Sequence, residues 1–219
     1  MSTALYASLD SLAAGIEEMG QASPEWWQKM QHKLPHARSV DRVQWLTEHV
    51  AGQTILHVGC AGLLHILLQK VCARVYGLDR EPMDAPDCQV VDLDRLMGPL
   101  PVFDGVETVL CAEVLEHLGN PRFLLESLKE GYPTQPLIVT APNAFSEAAR
   151  VWVHKGYESV NKEHLWWPSW HTLKTLLEVS GYTVQEFLWY HGAPPTSEGL
   201  IFVCQPQDEA ASNLASSRD

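Results

Sequence analysis

The residues best suited to chemistry lie together in the middle of the chain. Glu113, Glu116 and His117 are spaced i, i+3 and i+4, so a helix would place them on one face. Two carboxylates and an imidazole in a cleft can bind a divalent cation, and His164 can supply a fourth ligand. Without a metal, His117 or His164 is a candidate general base, because an imidazole titrates near neutral pH. The alternative for each histidine is a structural partner of a nearby carboxylate or a surface residue.

The elements that would position these residues begin with a strand, a glycine turn, a helix and a second strand. Residues 55–58 predict a short buried strand, and Gly59 and Gly62 break it. Leucines at helical spacing fill residues 63–71, and a second strand over 75–78 ends at Asp79. This order indicates the nucleotide-binding half of a parallel α/β sheet, where the acid accepts hydrogen bonds from ribose hydroxyls. An ordinary strand-to-helix turn is the alternative.

The rest of the chain continues the alternation of strands and helices. Further strands are predicted at 88–92, 106–111, 136–140, 183–190 and 200–204, and helices at 3–20, from Ser23, and over 38–50, 121–131 and 169–180. Residues 144–168 are predicted to be irregular and are rich in aromatic side chains. The expected organisation is an N-terminal helical cap over 1–50, an α/β domain over 51–204 and a disordered tail over 205–219.

Composition and charge restrict the partners and the compartment. The 219 residues carry a net charge of −12, which disfavours nucleic acid and anionic membranes as partners. The N-terminus lacks the pattern of a signal peptide, and no apolar stretch reaches the ~18 residues of a transmembrane helix, so we expect a cytoplasmic protein. The 5 cysteines never form a CxxC pair, which favours buried free thiols over disulfides or zinc ligands.

Several short motifs, in their order and spacing, identify a family. They are Val58-Gly59-Cys60-Ala61-Gly62, Gly77-Leu78-Asp79, Val91-Asp92-Leu93, Cys111-Ala112-Glu113-Val114-Leu115-Glu116-His117-Leu118 and Thr140-Ala141-Pro142-Asn143. Across roughly residues 40–204 the chain resembles the class I S-adenosylmethionine-dependent methyltransferases. The resemblance implies a doubly wound, Rossmann-like, mostly parallel sheet of seven strands. Its last strand would run antiparallel, and S-adenosylmethionine would bind at the carboxyl ends of the first strands.

The resemblance also assigns residues to the cofactor. It implies that the turn 59–62 passes under the methionine part, that Asp79 holds the ribose and that Arg80 lies beside the adenine. The cofactor-binding residues so implied are His57, Gly59, Cys60, Ala61, Gly62, Asp79, Arg80, Asp92, Leu93, Cys111, Ala112 and Glu113. The chain departs from the family pattern at His57, where an acid is usual, and at Ala61, where a glycine is usual.

The string Glu-x-x-Glu-His, followed by a later histidine, is similar to the metal site of small-RNA 2′-hydroxyl methyltransferases. That resemblance implies Glu113, Glu116, His117 and His164 as metal ligands. The same string is common in metal-free relatives that methylate quinones and other small molecules, and the acidic charge argues against RNA. We therefore favour a metal-free site with His117 and His164 as catalytic residues.

The predicted function is a methyltransferase that acts on a small-molecule acceptor, most readily at a hydroxyl oxygen. One alternative is a metal-assisted methyltransferase that acts on a sugar or RNA hydroxyl. Another is a non-catalytic binding or scaffold protein that keeps the fold, and the departures at His57 and Ala61 are its support.

Overall fold

The computed structural model describes residues 32–85, 87–96 and 98–208. The chain divides into two compact units, Met1–Leu34 and Pro35–Asp219. The helices predicted at 3–20 and from Ser23 lie outside the described residues. The predicted division at residues 50 and 204 stays a prediction.

The second unit contains a single sheet of eight strands, which lie in the order β1-β7-β8-β6-β5-β2-β3-β4. The strands are β1 (Ser39–Val40), β2 (Thr54–Val58), β3 (Arg74–Asp79), β4 (Cys88–Val90), β5 (Thr108–Ala112), β6 (Leu137–Pro142), β7 (Tyr182–Tyr190) and β8 (Gly199–Pro206). All neighbours pair in parallel except β8, which runs antiparallel to β6 and β7. This topology confirms the predicted doubly wound, mostly parallel α/β sheet.

The number of strands differs from the predicted seven, because β1 adds a short edge strand. Ser39 and Val40 pair with Trp189 and Tyr190 of β7. The amide of Trp189 donates to the carbonyl of Arg38 at 3.0 Å, and this bond helps to hold the added strand in place. A strand of two residues is too short to show an alternating pattern, so β1 could not be predicted from the sequence.

Five helices and one 3-10 turn join the strands in the described part of the chain. They are α1 (Arg42–His49), α2 (Leu63–Val71), the 3-10 turn Leu115–His117, α3 (Pro121–Gly131), α4 (Glu147–His154) and α5 (Trp170–Val179). Asn120 caps α3 by accepting from the amide of Phe123, and Pro121 lies in the first turn. Among the described residues, no helix combines the length and apolar character needed to cross a bilayer.

Helix α4 corrects the prediction that residues 144–168 are irregular. The hydroxyl of Ser146 caps it by accepting from the amide of Ala149 at 3.2 Å. Ala149 is its only buried residue, while Val151, Trp152 and Val153 are exposed. A helix that buries so little of its apolar surface lacks the periodic row of buried apolar residues from which a helix is predicted.

Both faces of the sheet are covered, which explains the nearly continuous apolar strands. On β2, Leu56 and Val58 join the core on one face, together with Leu124 of α3. Ile55 lies on the other face and joins the core that contains Leu68 of α2. The alternation directs successive β2 side chains to opposite faces, while the carboxyl ends of the strands stay at one edge of the sheet.

Candidate functional site

A cleft of about 460 Å³ opens at the carboxyl ends of β2, β3 and β5. The strand order places β2 between β3 and β5, so the chain crosses in opposite directions on either side of β2. Ligands of open α/β sheets bind at such a switch point. The cleft is lined by Gly59, Ala61, Asp79, Arg80, Glu81, Asp92, Leu93, Asp94, Arg95, Glu113, Val114, His117, Leu118 and Glu163.

The turn after β2 forms the floor of this cleft and depends on Gly59. Gly59 has a φ of +79°, and a Cβ on it would lie 2.2 Å from Cγ2 of Val114. Only glycine fits such a close approach in the left-handed region. The turn therefore packs directly against the segment that follows β5.

Asp79 is fixed at the end of β3 by the same turn. One of its carboxylate oxygens accepts from the amide of Ala61 at 2.7 Å, and the other accepts from the amide of Glu81 at 3.0 Å. A carboxylate has about four acceptor positions, so each oxygen keeps one for a ligand. Asp79 is thus oriented in advance at the mouth of the cleft.

The structure brings together most, but not all, of the residues implied as cofactor contacts. Those that line the cleft are Gly59, Ala61, Asp79, Arg80, Asp92, Leu93 and Glu113. The others lie outside the lining and are His57, Cys60, Gly62, Cys111 and Ala112.

His57 illustrates why the sequence could not distinguish the implied cofactor residues that line the cleft from those that lie outside it. Its side chain is 1% exposed, and its Nδ1 lies 3.2 Å from Nδ1 of His65 on α2. It therefore faces away from the cleft, into the layer between the sheet and α2. Cys60, Cys111 and Ala112 are also buried. The family position at which an acid is usual is here part of the protein interior.

Six lining residues were not anticipated from the sequence, namely Glu81, Asp94, Arg95, Val114, Leu118 and Glu163. Glu163 comes from the loop before α5, and its carboxylate lies 3.3 Å from Nη2 of Arg80. A contact across 83 residues has no local signal in the sequence. The position of Glu163 beside His164 was the only available indication.

The cleft is acidic. Its lining carries the carboxylates of Asp79, Glu81, Asp92, Asp94, Glu113 and Glu163 against the guanidinium groups of Arg80 and Arg95. Clefts lined by one sign of charge raise the local concentration of ligands of the opposite sign. The site therefore suits a positively charged ligand better than a polyanion.

Glu113 does not share a helical face with Glu116 and His117, contrary to expectation. It has a φ of +58° and precedes the 3-10 turn, so its side chain takes another direction. Its carboxylate accepts from Nη1 of Arg42 at 2.9 Å, Oγ1 of Thr140 at 2.8 Å and the Tyr190 hydroxyl at 3.1 Å. These bonds tie α1, β6 and β7 to the end of β5.

Glu116, His117 and His164 do converge, with ligand atoms within 4.8 Å of one another. The Glu116 side chain is buried, and neither carboxylate oxygen has a hydrogen-bond partner. Burial, reinforced by the nearby charge of Glu113, raises the pKa of Glu116 to about 8. This carboxyl group is costly to bury unless it is protonated or paired with a cation.

The two histidine rings of this cluster are held edge to face, with centroids 4.7 Å apart. Nδ1 of His117 donates to the carbonyl of Glu163 at 3.3 Å, which leaves Nε2 as the acceptor atom. Nδ1 of His164 is buried without a partner, and burial together with His117 lowers the pKa of His164. The orphaned atoms of Glu116 and His164 fit a divalent cation, and the ring nitrogens of the two histidines equally fit a proton acceptor.

The aromatic residues near the site mostly pack in the core. Nε1 of Trp166 donates to the carbonyl of Leu115 at 2.8 Å, and Trp170 packs edge to face on Phe187. Trp152 and Tyr157 pair edge to face on the exposed side of α4. None of these aromatic residues lines the cleft.

Comparison with known proteins gives consistent matches. A family model described as "Methyltransferase domain" matches residues 26–186. A ubiquinone biosynthesis O-methyltransferase of Paraburkholderia phytofirmans is 25% identical over 132 residues, which are 52% of this chain and 56% of the relative. The aligned region thus spans about half the length of that curated relative.

Solved structures share the fold at low identity. A structure of the small RNA methyltransferase HEN1 aligns with a TM-score of 0.61 at 17% identity, covering 82% of this chain and 27% of that protein. A SAM-dependent methyltransferase from Archaeoglobus fulgidus aligns with a TM-score of 0.58 at 14% identity, covering 75% and 91%.

Proposed function

This chain belongs to the class I S-adenosylmethionine-dependent methyltransferase family, and from that premise we propose that it methylates a small-molecule acceptor at a hydroxyl oxygen. One observation carries the proposal: the acidic side chains Asp79 and Asp92 and the turn at Gly59 line one cleft at the switch point of the sheet. The ubiquinone O-methyltransferase relative supports an oxygen nucleophile.

The lining residues fit S-adenosylmethionine, which supplies a methyl group activated by a positively charged sulfonium. The free acceptor positions of Asp79 suit the ribose hydroxyls, and Asp92 and Leu93 suit the adenine. The excess of carboxylates around the cleft favours a cationic ligand.

His117 is the residue proposed to remove the proton of the acceptor hydroxyl. It lines the cleft, and its Nδ1 is committed to the carbonyl of Glu163, so the free Nε2 can accept a proton. His164 lies against it, and burial keeps the His164 ring neutral. The chain otherwise has to align the acceptor with the methyl group and exclude competing water.

The experiment is a transfer assay with isotopically labelled S-adenosylmethionine and a panel of phenolic and aliphatic hydroxyl acceptors. His117→Ala should lower turnover by roughly 100- to 10,000-fold and leave S-adenosylhomocysteine affinity unchanged. His154→Ala, on the exposed face of α4, is the matched control and should retain full turnover. Full turnover of His117→Ala would remove that residue as the base.

A second candidate is a metal-assisted methyltransferase that acts on a sugar hydroxyl. The buried carboxylate of Glu116, without a hydrogen bond and beside two histidines, is the observation that favours it. Glu116, His117 and His164 would hold the cation, which would lower the pKa of the acceptor hydroxyl. The acidic lining of the cleft favours a sugar over RNA in this candidate.

Chelation separates the two candidates. Turnover that persists in EDTA supports the metal-free reaction. Turnover that is lost in EDTA and in Glu116→Gln, and restored by Mg²⁺ or Mn²⁺ only in the wild-type chain, supports the metal-assisted reaction. S-Adenosylhomocysteine binding without transfer to any hydroxyl acceptor contradicts both, and it favours the non-catalytic alternative.

A further inference from the structure

A second cluster of metal-ligating side chains lies in the protein interior beside the glycine turn. Sγ of Cys60 lies 3.8 Å from Sγ of Cys88, and Sγ of Cys88 lies 3.4 Å from Nε2 of His65. All three ligand atoms fall within 4.8 Å of one another. We propose that Cys60, His65 and Cys88 form a binding site for Zn²⁺, separate from the cluster at Glu116.

Two of the three separations in this cluster match those of a zinc site. Zn–S bonds of about 2.3 Å and Zn–N bonds of about 2.0–2.1 Å at tetrahedral angles place two sulfurs roughly 3.8 Å apart and a sulfur roughly 3.5 Å from a nitrogen. The observed separations of 3.8 Å and 3.4 Å agree with both values. Ligand atoms at these spacings can take up an ion with little rearrangement.

Gly77 provides the space that the two sulfurs occupy. It lies opposite Cys88 in the pairing of β3 with β4. A Cβ on Gly77 would lie 2.5 Å from Sγ of Cys88 and 2.7 Å from Sγ of Cys60. Any other residue would push the thiols out of this arrangement, so the strand itself contributes to the geometry of the cluster.

His57 holds the ring of His65 in the orientation that a ligand needs. The two Nδ1 atoms lie 3.2 Å apart, so one of them donates to the other. When His65 donates, its Nε2 carries the free lone pair and faces Cys88. Ligating histidines usually make such a hydrogen bond through the second ring nitrogen.

Zinc is the ion that this donor set fits best. Thiolate and imidazole ligands select zinc over Mg²⁺ and Ca²⁺, which require oxygen. The described residues offer no fourth side-chain ligand to the cluster, so water completes the coordination. Binding releases the thiol protons of Cys60 and Cys88 to solvent, and both sulfurs then coordinate as thiolates.

The sequence argued against zinc because its cysteines form no CxxC pair. The structure brings Cys60 and Cys88 together across 28 residues, and His65 meets Cys88 across 23 residues. The parallel pairing of β3 with β4 produces this proximity, which no local spacing could indicate. The bound ion would connect the glycine turn, α2 and β4 beneath the cleft. The proposal does not depend on the proposed reaction.

The test uses the full chain, reduced, treated with a chelator and then titrated with Co²⁺ as a spectroscopic probe for Zn²⁺. We expect one thiolate-bound Co²⁺ per chain, identified by the thiolate-to-cobalt charge-transfer band and the visible bands of tetrahedral coordination, and its displacement by Zn²⁺. Cys60→Ser and Cys88→Ser should each weaken binding at least 100-fold. Cys72→Ser is the matched control, because Cys72 is half-buried outside the cluster, and it should bind normally.

X-ray absorption at the zinc edge provides a second measurement that requires no variant. It should show two sulfur ligands at about 2.3 Å and nitrogen or oxygen ligands at about 2.0–2.1 Å. A reduced chain that gives no thiolate band would overturn the proposal. A band that persists in Cys60→Ser and Cys88→Ser would overturn it as well.

Discussion

At the scale of single residues, Glu116 is an ionisable group near the cleft whose side chain lacks hydrogen-bond partners. Its carboxylate oxygens are buried and accept no hydrogen bond, and the pKa of the group is raised to about 8 by burial and by Glu113. Buried ionisable groups of this kind concentrate at functional sites. The buried carboxylate of Glu116 therefore lowers the stability of the metal-free chain. A cation or a shared proton would pair with this same carboxylate.

The pH dependence of stability should reveal this group in the metal-free chain. The folded chain holds the Glu116 proton up to about pH 8, whereas the unfolded chain releases it near its ordinary pKa of 4.5. Wild-type stability should therefore fall as pH rises from 4.5 to 8, with a slope of at most about 1.4 kcal/mol per pH unit from this group. Chemical denaturation in EDTA at several pH values measures it.

Glu116→Gln should remove that slope and be more stable than wild type at pH 8. Glu130→Gln, on the exposed side of α3, is the matched control and should follow the wild-type curve. Parallel curves for wild type and Glu116→Gln would show that the carboxyl group titrates normally.

At the scale of elements, the segment β2–turn–α2 determines the shape of the cleft. Its strand and helix agree closely with the sequence prediction, because buried apolar residues recur at strand and helix spacing. The sequence predicted a glycine turn but could not rank Gly59 against Gly62. The ranking depends on contact of Gly59 with Val114, which lies beyond three further strands.

Substitution of the two glycines should therefore have unequal effects. Gly59→Ala should lower the free energy of unfolding by about 1–3 kcal/mol, since its φ is +79° and the new Cβ would overlap Val114. Gly62→Ala should leave stability nearly unchanged, because no atom lies within 4 Å of a Cβ there. Urea denaturation of both variants measures the difference, and equal losses would contradict the close packing at Gly59.

Other features of the fold could not be predicted from the sequence. The edge strand β1 and helix α4 were missed because one is too short and the other buries too little apolar surface to give a pattern. Glu113 was expected on a helix, but its positive φ and its bonds to Arg42, Thr140 and Tyr190 place it elsewhere. Those partners come from three other elements of the fold.

At the scale of the whole molecule, the sequence could predict the fold class and the part of the site that follows from it. Asp79 and Asp92 follow parallel strands, whose carboxyl ends meet at one edge, so their presence in one cleft was predictable. The approach of Glu163 and the meeting of Cys60 with Cys88 depend on long-range packing. The excess of carboxylates over guanidinium groups in the cleft lining favours a cationic ligand.

Calorimetric titration of the full chain with S-adenosylhomocysteine measures whether the chain binds the cofactor product and whether Asp79 contributes to that binding. We predict micromolar binding by the wild-type chain. Asp79→Ala should lose about 1.5–3 kcal/mol, or roughly 10- to 150-fold in affinity, because it removes a charged acceptor for the ribose. Asp84→Ala, an exposed acid outside the cleft lining, should bind like wild type. An absence of binding at millimolar ligand, or an unchanged affinity in Asp79→Ala, would contradict the account.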